Sequence, residues 1–470
     1  MIANHSGVHK LKGTDAGLAV DFYASRPWTA GKKLSKMKGY NRGTSMWTLR
    51  NLSKLCLVLG ALLLAGSAFA QDLKLADLVD EALRNNPEIQ AFGSGIEGAR
   101  QRIPQAKSLP DPMVMFGYQN EGFSRYTLGE EQGAQWMFGL SQQFLFPGKR
   151  GLKGHMARLD AESREAMLEL VKLRTVSRVR ELYWELFLAY KNIDLLRERQ
   201  VLFARVEDLA LARYSTGKGM QQEVLMAQTE KYMLLEKEAM FRQKITSLDA
   251  MLKATIGRDG GTALGRPGLL PPQPFPYKAD DTVEMAVTHS PEIKSRIKMI
   301  EAAETKVRMA KKEFFPDYSI NAGYYKRSGD FMDMWSLTST INIPIYFFMK
   351  QAPALSEAKA GHAQAKQELE AAKLMITAAI RDNVSMIKSA DTLMDLYKNG
   401  LIPKNAQDVD LALSGYATGR TEAIVVLSRL KTLLEYETQY WTQFTEREKA
   451  VARIHAITAG LDTMPGGEKK

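Results

Sequence analysis

Two short turns carry the residue types best suited to recognition chemistry. One reads Tyr214-Ser215-Thr216-Gly217-Lys218 and the other Tyr416-Ala417-Thr418-Gly419-Arg420. Each sets a phenol, a hydroxyl and a cation around a glycine, and each is followed by a carboxylate, Glu223 or Glu422. Such a set can hydrogen-bond and pair charges, but it transfers no group. The glycines can take the left-handed conformation that ends a helix. Other chemistry has no foothold. His155, His289, His362 and His455 are scattered without ligand spacing, so no metal ligands are expected. There is no Gly-rich phosphate loop, no His/Cys cluster and no nucleophile with a plausible base. The chain therefore reads as a non-enzyme, with no catalytic residue and no cofactor.

Charge narrows the partners. The 470 residues carry a net charge of +11, which by itself invites nucleic acid. Residues 1–70 hold ten Lys/Arg and two Asp/Glu, so most of the excess sits there. Downstream there is no basic stripe with interleaved aromatics, and nucleic acid is set aside. The basic start has its own explanation. Met46, Arg50 and Lys54 precede an apolar run from Leu55 to Leu64, and Gly66-Ser67-Ala68-Phe69-Ala70 follows. That is the pattern of a signal peptide over 46–70, cleaved after Ala70 and preceded by an upstream extension over 1–45. The only cysteine, Cys56, falls inside this leader, and a cysteine-free exported chain avoids stray disulfides. The residues around Cys56 do not fit a lipid-anchored N-terminus.

The elements that would hold the two turns are long. Amphipathic periodicity predicts helices over about 76–107, 149–214, 220–256, 282–315, 352–416 and 420–459. A 66-residue helix spans roughly 99 Å, which exceeds any ordinary globular helix and suggests a coiled-coil shaft. The lengths allow 149–214 to lie beside 220–256 and 282–315 stacked end to end. They likewise allow 352–416 to lie beside 76–107 and 420–459. The sequence also repeats. Asn86-Pro87-Glu88-Ile89 recurs as Ser290-Pro291-Glu292-Ile293, and Val224-Leu225 recurs as Val426-Leu427. With the two turns, these pairs share nearly one offset and imply two structural halves. The expected organisation is a first repeat over 71–257, a Pro-rich equatorial linker over 258–281, a second repeat over 282–460 and a C-terminal tail over 461–470.

Four short segments alternate with period two, near 113–120, 134–145, 317–325 and 335–345. Trp136 and Phe138 oppose Gln135 and Gly139. Trp335, Leu337 and Ile341 oppose Ser336, Thr338 and Thr340. One apolar and one small polar face fits a membrane barrel, and Trp136, Phe138, Trp335, Leu337 and Ile341 are the expected lipid-facing residues. A half-buried soluble hairpin gives the same alternation; the export signal favours the membrane. Four strands cannot close a barrel, and unpaired edges cannot sit in lipid. Copies of the chain must pool strands, and a conduit needs at least the twelve that three copies supply.

From about Leu75 to Gly460 the ordered set resembles the TolC-type outer membrane efflux proteins. The set comprises the Asn-Pro-Glu-Ile motif, two strand hairpins, and two Tyr-x-x-Gly turns followed by Val-Leu. The resemblance implies a mainly α chain with a membrane β-barrel. Three protomers would build a twelve-stranded barrel and a periplasmic α-barrel of long antiparallel coiled-coil helices. It implies an exit duct of a tripartite pump, with a periplasmic adaptor and an inner-membrane pump, RND type, as partners. By the resemblance, the adaptor docks on Tyr214, Thr216, Gly217, Lys218, Tyr416, Thr418, Gly419 and Arg420, with the Thr216 and Thr418 hydroxyls presented at the contact. Leu109-Pro110-Asp111-Pro112 and Phe146-Pro147-Gly148-Lys149-Arg150 look closer to the heavy-metal cation efflux branch. Relatives carry acidic rings past the second tip, where this chain has Val425 and Ser428. Glu223 and Glu422 remain as candidate pore-rim residues, against a plainer reading as solvated surface. A type I protein-secretion duct is the nearest alternative, and a non-pore periplasmic coiled-coil scaffold or adaptor is the alternative from another class.

Overall fold

The computed structural model describes residues 73–459, apart from 262 and 277. The expected extension, signal peptide with its cleavage after Ala70, and C-terminal tail lie outside the described residues. Helices α1 (Leu75–Asn85) and α2 (Pro87–Lys107) precede strands β1 (Met113–Gln119) and β2 (Gln135–Phe144). Helices α3 (Lys149–Ser215) and α4 (Gln221–Ile256) follow, then α5 (Ala279–His289) and α6 (Pro291–Lys312). Strands β3 (Asp317–Lys326) and β4 (Met334–Asn342) lead into α7 (Gln351–Leu396), a π-helical turn (Tyr397–Leu401), α8 (Ile402–Ala417) and α9 (Ala423–Ile457).

Helix α3 has 67 residues, a length of about 100 Å. Its buried Leu182, Leu186, Ala189, Ile193 and Leu196 recur at alternating spacings of four and three. That is the seam of a coiled coil, in which apolar residues every 3.5 positions stay turned toward the partner. Helices α2, α4, α6 and α9 all pack on α3. At mid-length Trp184, Phe187, Trp441 and Phe444 join α3 to α9 through edge-on ring contacts, with Trp184 and Phe444 centroids 5.4 Å apart. Further down, Ala423, Leu427, Leu430 and Leu434 of α9 meet Val206, Ala210 and Val224 in one apolar cluster.

Three expected helices are broken, each for a local reason. The stretch 76–107 divides at Asn86, whose ψ of 121° is the extended conformation forced on a residue before proline. Its side chain then caps α2, accepting from the amides of Glu88 (2.8 Å) and Ile89 (3.2 Å). The stretch 282–315 divides in the same way at Ser290 before Pro291, and its second piece ends at Lys312. The stretch 352–416 contains the π-turn, where the Ile402 amide donates to Tyr397, five residues back. Pro403 has no N–H to offer the next helical bond, so the ladder shifts register before it. The expected pairing of 352–416 with 76–107 also differs from the protomer. Helix α7 packs chiefly on α6 and α9, whereas α2 lies on α3. Chain length could match the helices but could not choose between neighbours.

The four strands form one antiparallel sheet in the order β1-β2-β3-β4. Between shaft and sheet sits Lys149, only 2% exposed. Its ammonium donates to Glu313 (3.1 Å), to Asp317 (3.0 Å) and to the Phe315 carbonyl (3.1 Å). Asp317 also accepts from the Phe146 amide at 2.7 Å. The first residue of α3 and the first of β3 are thereby tied together. At mid-shaft the irregular segment after α4 is tied down by polar bonds. The Tyr183 hydroxyl donates to the Gly268 carbonyl (2.9 Å), and Arg447 donates to the Gln273 carbonyl (2.8 Å). The buried Glu448 carboxyl accepts from the Gln273 amide and from Arg447. Burial nevertheless pushes the Glu448 carboxyl above its ordinary value, the largest influence on it.

Candidate functional site

The two turns end α3 and α8 in the same way. Lys218 N–H bonds to Arg213 O (2.8 Å) and Gly217 N–H to Tyr214 O (3.0 Å). In the second turn Arg420 N–H bonds to Gly415 O (2.8 Å) and Gly419 N–H to Tyr416 O (3.1 Å). This nested pair of bonds needs a left-handed residue, and Gly217 (φ 67°) and Gly419 (φ 79°) supply it. The threonines do not turn their hydroxyl protons outward. Thr216 donates to Ala212 O (3.0 Å) and Thr418 to Gly415 O (3.1 Å), each capping its own helix end. Both side chains are nevertheless exposed, with their protons engaged by their own helix ends.

The motifs match; their burial does not. Tyr214 is 46% exposed, while Tyr416 is fully buried. Tyr416 packs in the apolar cluster with Val224, Ala423 and Val426, and it is also met by Arg213, which sequence reading passed over. Its guanidinium donates to the Tyr416 carbonyl (2.9 Å) and the Lys218 carbonyl (3.2 Å), and lies 5.0 Å from the Tyr416 ring centre. The Tyr416 hydroxyl donates in turn to Glu223 at 3.2 Å. Burial, and then the neighbouring Glu223 carboxylate, push the Tyr416 phenol up to about 12. At the position corresponding to Arg213 the second half has Gly415, so the clamp runs one way only. The sequence signal was the replacement of a long cation by glycine, the least conservative of the differences between the two motifs. The structure therefore brings Tyr416, Gly419 and Glu223 together with Lys218 around Arg213. Lys218, Arg420 and Glu422 are exposed, with Glu422 at the N-cap of α9.

At the other end, register sorts the sheet into two faces. Phe116 lies opposite Phe138, Tyr118 opposite Trp136, Tyr324 opposite Trp335 and Tyr318 opposite Ile341. Phe138 is also paired with Tyr324 and Phe144 with Tyr318. Trp136, Phe138, Trp335, Leu337 and Ile341 thus share one face, on which aromatic rings stack across strands. Trp335 is 77% exposed on the isolated protomer. The opposite face carries a polar ladder: Ser141 donates to Asn321 (2.6 Å), which donates to Thr340 (3.0 Å). Strands β1 and β4 are the sheet's two edges. Among the described residues no group of His, Cys, Asp and Glu is arranged to hold a metal ion. No helix among them is long and apolar enough to cross a membrane, which says nothing of a barrel.

Solved structures share the fold. CusC, whose structures are described in terms of transmembrane channel formation, superposes with a TM-score of 0.72 at 16% identity, covering 83% of this chain and 93% of its own. The outer membrane protein VceC of Vibrio cholerae gives 0.71 at 17% identity, covering 83% and 97%. The CmeC outer membrane channel of Campylobacter jejuni gives 0.72 at 15%, covering 83% and 86%. At such identities the likeness establishes the fold alone. No curated protein matches the chain. The sequence model of the outer membrane efflux proteins, however, matches residues 78–258 and 282–460. Those two segments are most of the polypeptide, and the chain belongs to the outer membrane efflux protein family.

Proposed function

We propose that three copies of this chain form the exit duct of a tripartite efflux pump in the outer membrane. Each would contribute four strands to a twelve-stranded barrel and its long helices to a periplasmic α-barrel. The observation that carries the reading is the sheet: one apolar aromatic face, one polar face, and two edges left unpaired within the protomer. In hydrocarbon those edges must find partners, and β1 of one copy meeting β4 of the next satisfies them. The duplicated order of break, hairpin, long helix and turn supports descent from one repeated unit, with the two sequence halves as its copies.

The duct is passive, and transport energy comes from an inner-membrane pump of RND type reached through a periplasmic adaptor. The two turns form the docking tip. Their exposed cations Lys218 and Arg420 are free to meet the adaptor, and Arg213 holds the turns in mutual register. Glu223 is engaged by Tyr416, which leaves Glu422 as the freer candidate for a charged pore rim. Heavy-metal cations are the proposed cargo, on the strength of the sequence segments flanking the first hairpin.

The test is single-channel conductance of purified protein in a planar bilayer, with its mass measured in detergent. Discrete conductance steps from a trimer support the duct. A soluble monomer that never conducts under folding conditions removes it and favours a coiled-coil scaffold. Cargo is tested separately, by metal sensitivity of cells lacking the protein, and unchanged tolerance to copper, silver, zinc and cadmium rejects the metal assignment.

A further inference from the structure

Where the sheet meets the shaft, the aromatic face does not stop at the strand ends. Phe144 stacks on Tyr318 with centroids 5.4 Å apart, and one step further Phe146 stacks on Phe315 at 4.6 Å. Directly beside that second pair lies a groove of about 500 Å³ between the start of α3 and the last turns of α6. Gly148, Leu152, Arg308, Lys311, Lys312 and Phe315 line it. Its floor is apolar and its rim is cationic.

The cations are not spent on neighbouring acids. Among the described residues none of Arg308, Lys311 and Lys312 is in an ion pair. Arg308 donates to the Thr305 hydroxyl (2.9 Å), and Lys312 lies 5.2 Å from the Phe146 ring and 5.5 Å from the Phe315 ring. The nearby carboxylates Glu313 and Asp317 both pair with buried Lys149, so that cluster sets one residual negative charge against the three cations. Helix α3 begins here with no side-chain cap and no acidic residue in its first turn. Gly151 leaves the approach open, since a Cβ there would meet nothing within 4 Å.

We propose that this groove binds the headgroup phosphate of an anionic phospholipid in the periplasmic leaflet of the outer membrane. The proposal rests on the channel reading, because it needs the aromatic face to be in lipid. Under that reading the groove sits where the apolar face gives way to the helical shaft, at headgroup depth. Continuity with the lipid-facing surface and charge complementarity then select one occupant. A phosphodiester accepts charge-assisted bonds from Arg308, Lys311 and Lys312. Acyl chains run along the Phe144 and Tyr318 side of the sheet. Lysine stems lie along the ring faces while their ammoniums reach the phosphate. Basic pockets at membrane boundaries recognise acidic headgroups in the same way.

The experiment uses the whole purified channel in detergent with equimolar phosphatidylglycerol and phosphatidylethanolamine, and reads retained lipid by native mass spectrometry. The wild type is expected to retain phosphatidylglycerol in preference by about tenfold, given three cations that pair with no carboxylate among the described residues. The triple variant Arg308→Gln/Lys311→Gln/Lys312→Gln loses the preference, and Lys311→Arg/Lys312→Arg keeps it. The exposed single change Lys311→Glu carries the test if the triple variant does not fold. No preference in the wild type, or an undiminished one in the variants, overturns the proposal. So does displacement of the lipid by an equal concentration of inorganic phosphate, which would make this a free-phosphate site. Conductance in phosphatidylethanolamine bilayers separates the two failures. A protein that conducts without lipid preference loses the headgroup site alone, whereas one that never inserts loses the channel as well.

Discussion

Replacing Arg213 by alanine should loosen the two tip turns from each other while leaving the rest of the shaft intact. The side chain makes two bonds to carbonyls, at 2.9 Å to Tyr416 and 3.2 Å to Lys218, and covers the Tyr416 ring. A hydrogen bond from a charged donor is worth about 1.5 to 3 kcal/mol. The bond to Lys218 is exposed and contributes near the bottom of that range or below. The ring contact adds about 0.5 to 1 kcal/mol. A total loss of about 2 to 3 kcal/mol corresponds to a change of about 30- to 150-fold in the local opening equilibrium. The assay is native-state hydrogen exchange. The amides of Gly217, Lys218, Gly419 and Arg420, protected only by the turn bonds, should exchange faster by about that factor. Amides of β1 to β4 should not change. Arg213→Lys should recover part of the effect, since it keeps the charge but loses the fork. Unchanged exchange at Gly419 and Arg420 in Arg213→Ala would refute the clamp and leave Tyr416 held by packing alone.

Lys149→Met should destabilise the sheet-to-shaft junction by about 2 to 4 kcal/mol, because Asp317 and the Phe315 carbonyl lose a buried cationic donor; heat-induced loss of the folded band on gels measures this. Leu337→Arg places a cation on the aromatic face and should cost about 2 to 4 kcal/mol of folding into vesicles if the site is near the bilayer midplane, whereas Thr338→Arg on the polar face should alter conductance instead. Equal penalties at 337 and 338 would contradict the face assignment. The buried Glu448 carboxyl titrates above its ordinary value when folded, so the folded chain binds a proton that the unfolded chain releases. Relative to Glu448→Gln, the wild type should therefore lose stability as pH rises from about 4.5 through the raised value. Thermal midpoints of the two proteins across pH 4 to 7 test the sign.

The alternation of apolar and polar residues in four segments is a local property, and it was legible without coordinates. So was the length of the 149–214 helix, which by itself suggested a coiled-coil shaft; the seam of Leu182, Leu186, Ala189, Ile193 and Leu196 emerged with the structure. The breaks at Asn86-Pro87 and Ser290-Pro291 were also written locally, in the restriction that proline places on the residue before it, although the helical periodicity on both sides masked them. The π-turn before Pro403 belongs to the same class.

Long-range packing decided the rest. Tyr214 and Tyr416 stand in the same motif, yet one is exposed and the other packs in a cluster drawn from four helices, and only the first half has an arginine positioned to reach across to the other turn. Lys149 stood out in the sequence only as part of the Phe146-Pro147-Gly148-Lys149-Arg150 segment; its buried pairing needs Glu313 and Asp317, more than 160 residues away in sequence. The cationic groove likewise joins the start of α3 to the end of α6, segments more than 150 residues apart in sequence. Periodicity and turn residues act over a few positions, so the chain by itself determined its elements and their faces. Neighbours were chosen by contacts between segments far apart in sequence, whose energies depend on a geometry that no local pattern contains.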